Sequence, residues 1–243
     1  MPYQPTPTLP NLEALFAVPF YRALLPGAES FNRRLKDRLL GWEHSPPESH
    51  TRPSPVRKHG VYESPFDFFF WEDPDVQSLA RFCLTHLGRL IQTLNSYSTV
   101  EMAGLRLHHH SWFHITRPGG YTSYHNHAMA SWSGVYCVDP GQPAQETQPS
   151  GILRLMDPRS HVSMFLDPAN SYLAPPYGFG ALEHRFEAGE LVLFPSYLYH
   201  EVSPYEGADI RVTVAFNVWV RYEGEPKLEP GFHRLAHSPD RQN

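Results

Sequence analysis

The sequence predicts a mainly β domain of α+β type, an antiparallel sandwich or barrel with helices ahead of it. Three observations carry the prediction. After residue 100 the apolar period changes from about 3.6 to 2. The later apolar segments are short and are separated by Gly, Pro and Asp. The 25 prolines and 16 glycines of this 243-residue chain demand many turns, while 41% hydrophobic and 14% aromatic content is enough for a sizeable core.

Residues 1–11 are proline-rich and read as extended chain. From Leu12 to Leu40, Leu12, Leu15, Phe16, Phe20 and Leu24, then Phe31, Leu35 and Leu39, recur at helical spacing, interrupted at Pro26-Gly27. Two helices are expected there. Residues 43–65 read as a polar, proline-laden loop, and FDFFFW, Phe66 to Trp71, as core. Asp75 to Tyr97 predicts a helix with Val76, Leu79, Phe82, Cys83, Leu87, Leu90 and Leu94 on one stripe, started by Asp73-Pro74. Strands are expected at 105–115, 133–138, 151–156, 190–195, 198–203 and 210–220. The segments group as a helical extension over 1–100 bracing a β core over 101–222, then a loosely ordered tail over 223–243, all within one structural domain.

Twenty Lys plus Arg against 25 Asp plus Glu give a formal charge of −5, so no basic surplus exists to hold nucleic acid. Cys83 and Cys137 lie too far apart and are too few for a disulfide framework. No stretch approaches the ~18 apolar residues of a membrane helix, and the opening MPYQPTPTLP has no signal-peptide pattern. The expectation is a cytoplasmic protein without nucleic-acid or membrane partners; its oligomeric state is not readable.

Fifteen histidines are a background against which only spacing is informative. His125 and His127, in YTSYHNHAMASWSGVYCV, are two apart, so on a strand both rings take the same face and can share an ion. His200, 73 residues after His127 and near the start of the strand candidate over 198–203, is the natural third ligand. Arg211 and Thr213 share one face of a strongly apolar strand, a fork and a hydroxyl suited to an enclosed carboxylate. Tyr121, Tyr124, Trp112, Trp132 and Asn217 are further pocket candidates. His108, His110 and His114 share a strand face with His109 opposite; this is expected to be a polar face lining the barrel mouth or solvent, a second metal site being the alternative.

Between residues 105 and 220 the order of these elements resembles the iron(II)- and 2-oxoglutarate-dependent dioxygenases, in particular a bacterial branch distantly related to the prolyl 4-hydroxylases. The resemblance runs through Trp112, His125-Asn126-His127, Ser133 to Tyr136, Asp157-Pro158-Arg159, Gly189 to Phe194, His200, and Arg211 to Asn217. It implies a double-stranded β-helix, a jelly-roll or cupin-like barrel with N-terminal helices packed on one sheet. It also implies Fe(II), 2-oxoglutarate and O2, with metal ligands His125, His127 and His200. Arg211 and Thr213 would hold the far carboxylate of 2-oxoglutarate, with Tyr124 and Asn217 beside it. The implied reaction is hydroxylation of a C–H bond in an amino acid, a peptide side chain or a small metabolite.

The family pattern has Asp or Glu where His127 stands, and none of the fifteen histidines is followed at i+2 by an acid. Three readings stay open: a three-histidine iron centre, a centre completed by a carboxylate such as Asp157, or a site without oxygenase activity. Two further classes compete, a cupin-like three-histidine oxygenase that does not use 2-oxoglutarate and a non-catalytic ligand-binding barrel. Substrate choice is expected in loops over residues 43–71 and 158–187.

Overall fold

A computed structural model describes residues 12, 14–49, 56–142, 149–159, 167–174 and 176–223. In chain order the elements are β1 (Tyr21–Leu24), α1 (Ala28–His44), β2 (Lys58–Glu63), α2 (Pro74–Asn95), α3 (Thr99–Ala103), β3 (Leu105–His125), β4 (Trp132–Asp139), β5 (Leu153–Leu155), β6 (Leu182–His184), β7 (Glu190–Pro195), β8 (His200–Val202) and β9 (Arg211–Tyr222). A short 3₁₀ turn, Phe68–Phe70, precedes α2. The nine strands form one curled antiparallel sheet in the order β1-β7-β4-β9-β3-β8-β5-β6, with β2 joined to β3. The extended residues 1–11 and all but Glu223 of the expected tail lie outside the described residues.

Helix α2 forms where its cap and stripe coincide. Asp73 accepts from the amides of Asp75 and Val76 at 2.9 and 3.1 Å, and Pro74 occupies the first turn, where its missing N–H costs nothing. Its buried face, Val76, Leu79, Ala80, Cys83, Leu87, Leu90 and Ile91, joins Phe113, Ile115, Val214 and Phe216 from the outward side of β3 and β9 in one apolar cluster. Leu35 and Leu39 of α1 enter the same cluster, so the two helices cover one face of the sheet.

The first of the two helices expected before Pro26 does not form. Tyr21–Leu24 instead pairs antiparallel with β7, Tyr21 opposite Leu193 and Leu24 opposite Glu190. A four-residue segment gains more from an open sheet edge than from a helix too short to propagate. Part of the expected 43–65 loop is likewise a strand, since Lys58–Glu63 pairs with β3.

Strand β3 is 21 residues long and serves two partners. Its first half pairs with β9 from Leu105↔Tyr222 to Thr116↔Arg211, and its last residues pair with β8. Between them the chain crosses β2 closely at Gly120, where an added Cβ would sit 2.6 Å from the Gly60 carbonyl oxygen. Only glycine fits that crossing, and the bend carries the end of β3 over to β8.

Candidate metal centre

β3 and β8 place two histidines face to face: His125 and His200 are register partners in the antiparallel ladder, with ring centroids 4.3 Å apart. His127 follows just beyond β3, its amide donating to the Ser196 carbonyl at 3.0 Å. Its ring centroid lies 4.9 Å from that of His125 and 5.2 Å from that of His200. One ligand atom from each of the three rings lies within 4.8 Å of the others.

Ring orientation is set by the backbone. His125 Nδ1 lies 2.6 Å from the Ser123 carbonyl, and His200 Nδ1 lies 2.9 Å from the Leu198 carbonyl. A carbonyl only accepts, so both Nδ1 atoms carry the proton and both Nε2 atoms keep a lone pair for a ligand. Burial, with the neighbouring His200, His125 and His114 adding to it, lowers the His127 pKa to about 3. Burial and His125 lower that of His200 to about 4. Neutral rings are the metal-binding form of imidazole.

Among the described residues the cluster contains no carboxylate. Asp157, considered above as a replacement ligand, is bound to Arg159 through Oδ2 at 2.6 Å and lines a neighbouring cavity with Phe20 and Leu155. Three convergent neutral imidazoles with an open side toward a cavity fit a divalent first-row metal, iron(II) included.

That cavity also receives Arg211, Thr213, Asn217, Trp112, Tyr121 and His114. Arg211 is 4% exposed and no acidic side chain among the described residues pairs with it. Its guanidinium carbon lies 5.5 Å over the Phe186 ring, and burial lowers its pKa. A buried cation without a counter-ion is costly, and an anion in this cavity would offset that cost. Gly151, at φ +59°, makes room for it: a Cβ there would lie 2.9 Å from Arg211 Cδ. Asn217 Oδ1 accepts from Ser133 Oγ at 2.7 Å, which fixes the amide at the cavity wall.

Two expected pocket residues lie elsewhere. Tyr124 is 53% exposed and stacks on Tyr199 with centroids 4.8 Å apart, on the opposite sheet face from His125 and His200. Strand alternation turns it outward, so it cannot share a cavity with its neighbour His125. Trp132 packs against the apolar cluster under the helices rather than into the cavity. Of the other strand histidines, His108 and His110 are exposed, whereas His109 packs against Phe69 and Phe70 on the helix side.

One polar group beside the cavity has no sequence signal. Glu63 lies 2.9 Å from Lys58 Nζ and 2.8 Å from His114 Nε2, all three largely buried. Burial raises the Glu63 pKa, but the hydrogen bonds and charges of His114 and Lys58 outweigh it and hold the carboxyl below its ordinary range. Lys58 and Glu63 fall in the stretch expected to be a loop, and their role emerges only from the β2–β3 pairing.

Residues 110–217 match the family model described as "Putative 2OG-Fe(II) oxygenase". No curated protein matches the sequence. Among solved structures, AviO1 from Streptomyces viridochromogenes Tue57 is 16% identical, covers 88% of this chain and 93% of its own, and has a TM-score of 0.52. The alpha-ketoglutarate-dependent carbocyclase SnoK from nogalamycin biosynthesis is 13% identical over 94% of this chain and 95% of its own, with a TM-score of 0.52. The alpha-ketoglutarate-dependent epimerase SnoN from the same biosynthesis is 12% identical over 86% of this chain and 80% of its own, also with a TM-score of 0.52. The curled antiparallel sheet is a double-stranded β-helix, the fold shared with these structures.

Proposed function

We propose that this chain, whose residues 110–217 match the 2OG-Fe(II) oxygenase family model, is an iron(II)- and 2-oxoglutarate-dependent dioxygenase with a three-histidine metal centre. The observation that carries the reading is the pairing, in one cavity, of three convergent imidazoles with a buried Arg211 that has no acidic partner among the described residues. His125, His127 and His200 would hold the metal, the first and last through Nε2. Arg211 would hold the far carboxylate of 2-oxoglutarate, with the Thr213 hydroxyl beside it.

Iron(II) with O2 and 2-oxoglutarate supplies an oxidant strong enough for an unactivated C–H bond, succinate and CO2 being the coproducts. The residues of this chain do the rest. Arg211 fixes one end of the oxo acid so that its other end faces the histidines, and Phe186, Phe194 and Leu153 keep that part of the cavity apolar and dry. The Nδ1 hydrogen bonds to Ser123 and Leu198 prevent the two ladder histidines from turning away. Hydroxylation of an amino acid, peptide side chain or small metabolite is the proposed outcome. SnoK and SnoN, of similar fold, are an alpha-ketoglutarate-dependent carbocyclase and epimerase, so a barrel of this kind is not confined to hydroxylation. The two buried free thiols, Cys83 and Cys137, suit a reducing cytoplasmic setting.

A three-histidine oxygenase without an oxo-acid cosubstrate gives Arg211 no anion to bind, and is disfavoured for that reason. Aerobic incubation of iron-loaded protein with 2-oxoglutarate should release succinate, and His200→Ala and Arg211→Ala should lose most of it. Variants that match the wild type would remove the assignment.

A further inference from the structure

The ladder between β3 and β9 places an ordered row of side chains on the inner face of the sheet. Its cross-strand pairs are Thr116↔Arg211, His114↔Thr213, Trp112↔Ala215, His110↔Asn217 and His108↔Trp219. The row runs from the buried anion-binding end at Arg211 to exposed His110 and His108. The candidate metal centre lies beside its middle, the His127 ring centroid 5.9 Å from that of Trp112.

Beyond that point the rings form a chain of contacts. Trp112 meets Phe66 edge to face at 4.9 Å, and Phe66 lies over His110 at 6.4 Å with planes 29° apart. His110 meets Trp219 edge to face at 4.9 Å, and Trp219 lies parallel to His108 at 6.3 Å, 13° from coplanar. The mechanism above uses none of Phe66, His108, His110 and Trp219. From Ala215 to Trp219 the strand advances roughly 13 Å, so the aromatic floor is longer than one ring.

The charged groups of the row, Arg211 and the Glu63–Lys58 pair at His114, lie at its buried end. Beyond Trp112 the two strands carry no Asp, Glu, Lys or Arg over residues 107–111 and 216–220, and Arg106 past their end is paired with Glu223 at 2.7 Å. A cluster of rings without a counter-ion beside it offers nothing to the ammonium and carboxylate of a free amino acid, whereas a planar unsaturated group packs against such rings. The imidazole edges of His108 and His110 add a donor and an acceptor for hydroxyl or carbonyl oxygens.

The geometry points to Phe66, His110, Trp219 and His108 as the substrate subsite, and to an uncharged planar ring system bearing hydroxyl or carbonyl groups as its ligand. This rests on the oxygenase reading, because it takes the metal side of the row as the reacting end. The substrate lies along the β3–β9 floor with one edge turned toward the three histidines, and the far carboxylate of 2-oxoglutarate occupies the opposite end of the row.

The test is anaerobic calorimetric binding of 2-naphthol, L-proline and L-lysine to the full chain supplied with iron(II) and 2-oxoglutarate. The expected result is 2-naphthol binding in preference to both amino acids. It should weaken about tenfold in Trp219→Ala and in His110→Ala, and be largely retained in Trp219→Phe, which keeps a ring and controls for folding. The inference is overturned if 2-naphthol does not bind, if either amino acid binds better, or if Trp219→Ala and His110→Ala both bind like the wild type. Succinate release by the wild-type protein, measured separately in air, tests the oxygenase reading, so the two can fail independently.

Discussion

His125 and His200 face each other across the β3–β8 ladder, and each turns its Nδ1 to the carbonyl two residues before it, Ser123 at 2.6 Å and Leu198 at 2.9 Å. The same local device on two antiparallel strands leaves both Nε2 atoms directed at one point. Neither histidine needs a distant partner to be held in its metal-binding tautomer.

Removing either ring should therefore weaken the metal centre by more than the 10–100-fold typical of losing an outer hydrogen bond to a ligand. Anaerobic iron(II) titration of His125→Ala and His200→Ala should show at least about hundredfold weaker binding, with thermal unfolding in the metal-free state shifted far less. Wild-type iron affinity in both variants would contradict the assignment.

His127 stands where the oxygenase pattern has a carboxylate. If its place in the cluster is that of a ligand, then His127→Asp should keep iron binding and His127→Ala should lose most of it. The comparison is a titration of the two variants side by side. Equal loss in both would mean that the imidazole is needed for packing against Trp112, 5.9 Å away, rather than for the metal.

Arg211→Lys keeps the charge but loses the two-pronged fork. The expected effect is a rise of about tenfold or more in KM for 2-oxoglutarate, with iron affinity unchanged. Gly151→Ala should act in the same direction, because its Cβ would press on Arg211 Cδ at 2.9 Å from a backbone at φ +59°. Steady-state succinate formation against 2-oxoglutarate concentration measures both.

The pKa shifts fix how metal-free stability depends on pH. His127 and His200 titrate at about 3 and about 4 in the folded chain, lowered chiefly by burial, against about 6.5 for an unfolded imidazole. Between those values the unfolded chain binds more protons, so stability falls with acidification from about pH 6.5 toward about 3. Calorimetric unfolding of the metal-free protein from pH 8 to 4 should show a falling Tm below about 6.5, with a shallower fall in His127→Ala. Identical slopes would contradict the burial of a neutral ring at this position.

Leu79 and Leu87 of α2 are essentially inaccessible, packed in the cluster shared with Phe113 and Phe216. Truncating either to Ala should cost about 2–5 kcal/mol of unfolding free energy. Because the helix packs on the outward face of the sheet, KM for 2-oxoglutarate should hardly change. A large kinetic effect at full stability would mean that the helix layer is coupled to the cavity.

The elements legible in the sequence are those whose own residues decide their conformation. β7, ELVLFP, is buried at every position, and the expected strand over 190–195 coincides with the observed one. α2 carries a capped, seven-residue buried stripe that only a helix explains. β1 and β2 were not legible, because Tyr21–Leu24 and Lys58–Glu63 become strands through the partners that receive them, β7 and β3. In the site, spacing raised His125, His127, His200 and Arg211 above a background of fifteen histidines and the family resemblance supplied their expected roles, whereas Glu63 and Lys58 had no pattern to mark them. Tyr124 was misplaced by neighbourhood in sequence: the period of 2 that turns His125 inward turns Tyr124 outward, onto Tyr199.

A metal held by three histidines and no protein carboxylate is decided by an anaerobic crystal structure of the iron(II)-loaded protein. One iron should be bound by His125, His127 and His200, with Asp157 still paired to Arg159. Iron ligated by Asp157 or Glu63, or found away from these three rings, would contradict it.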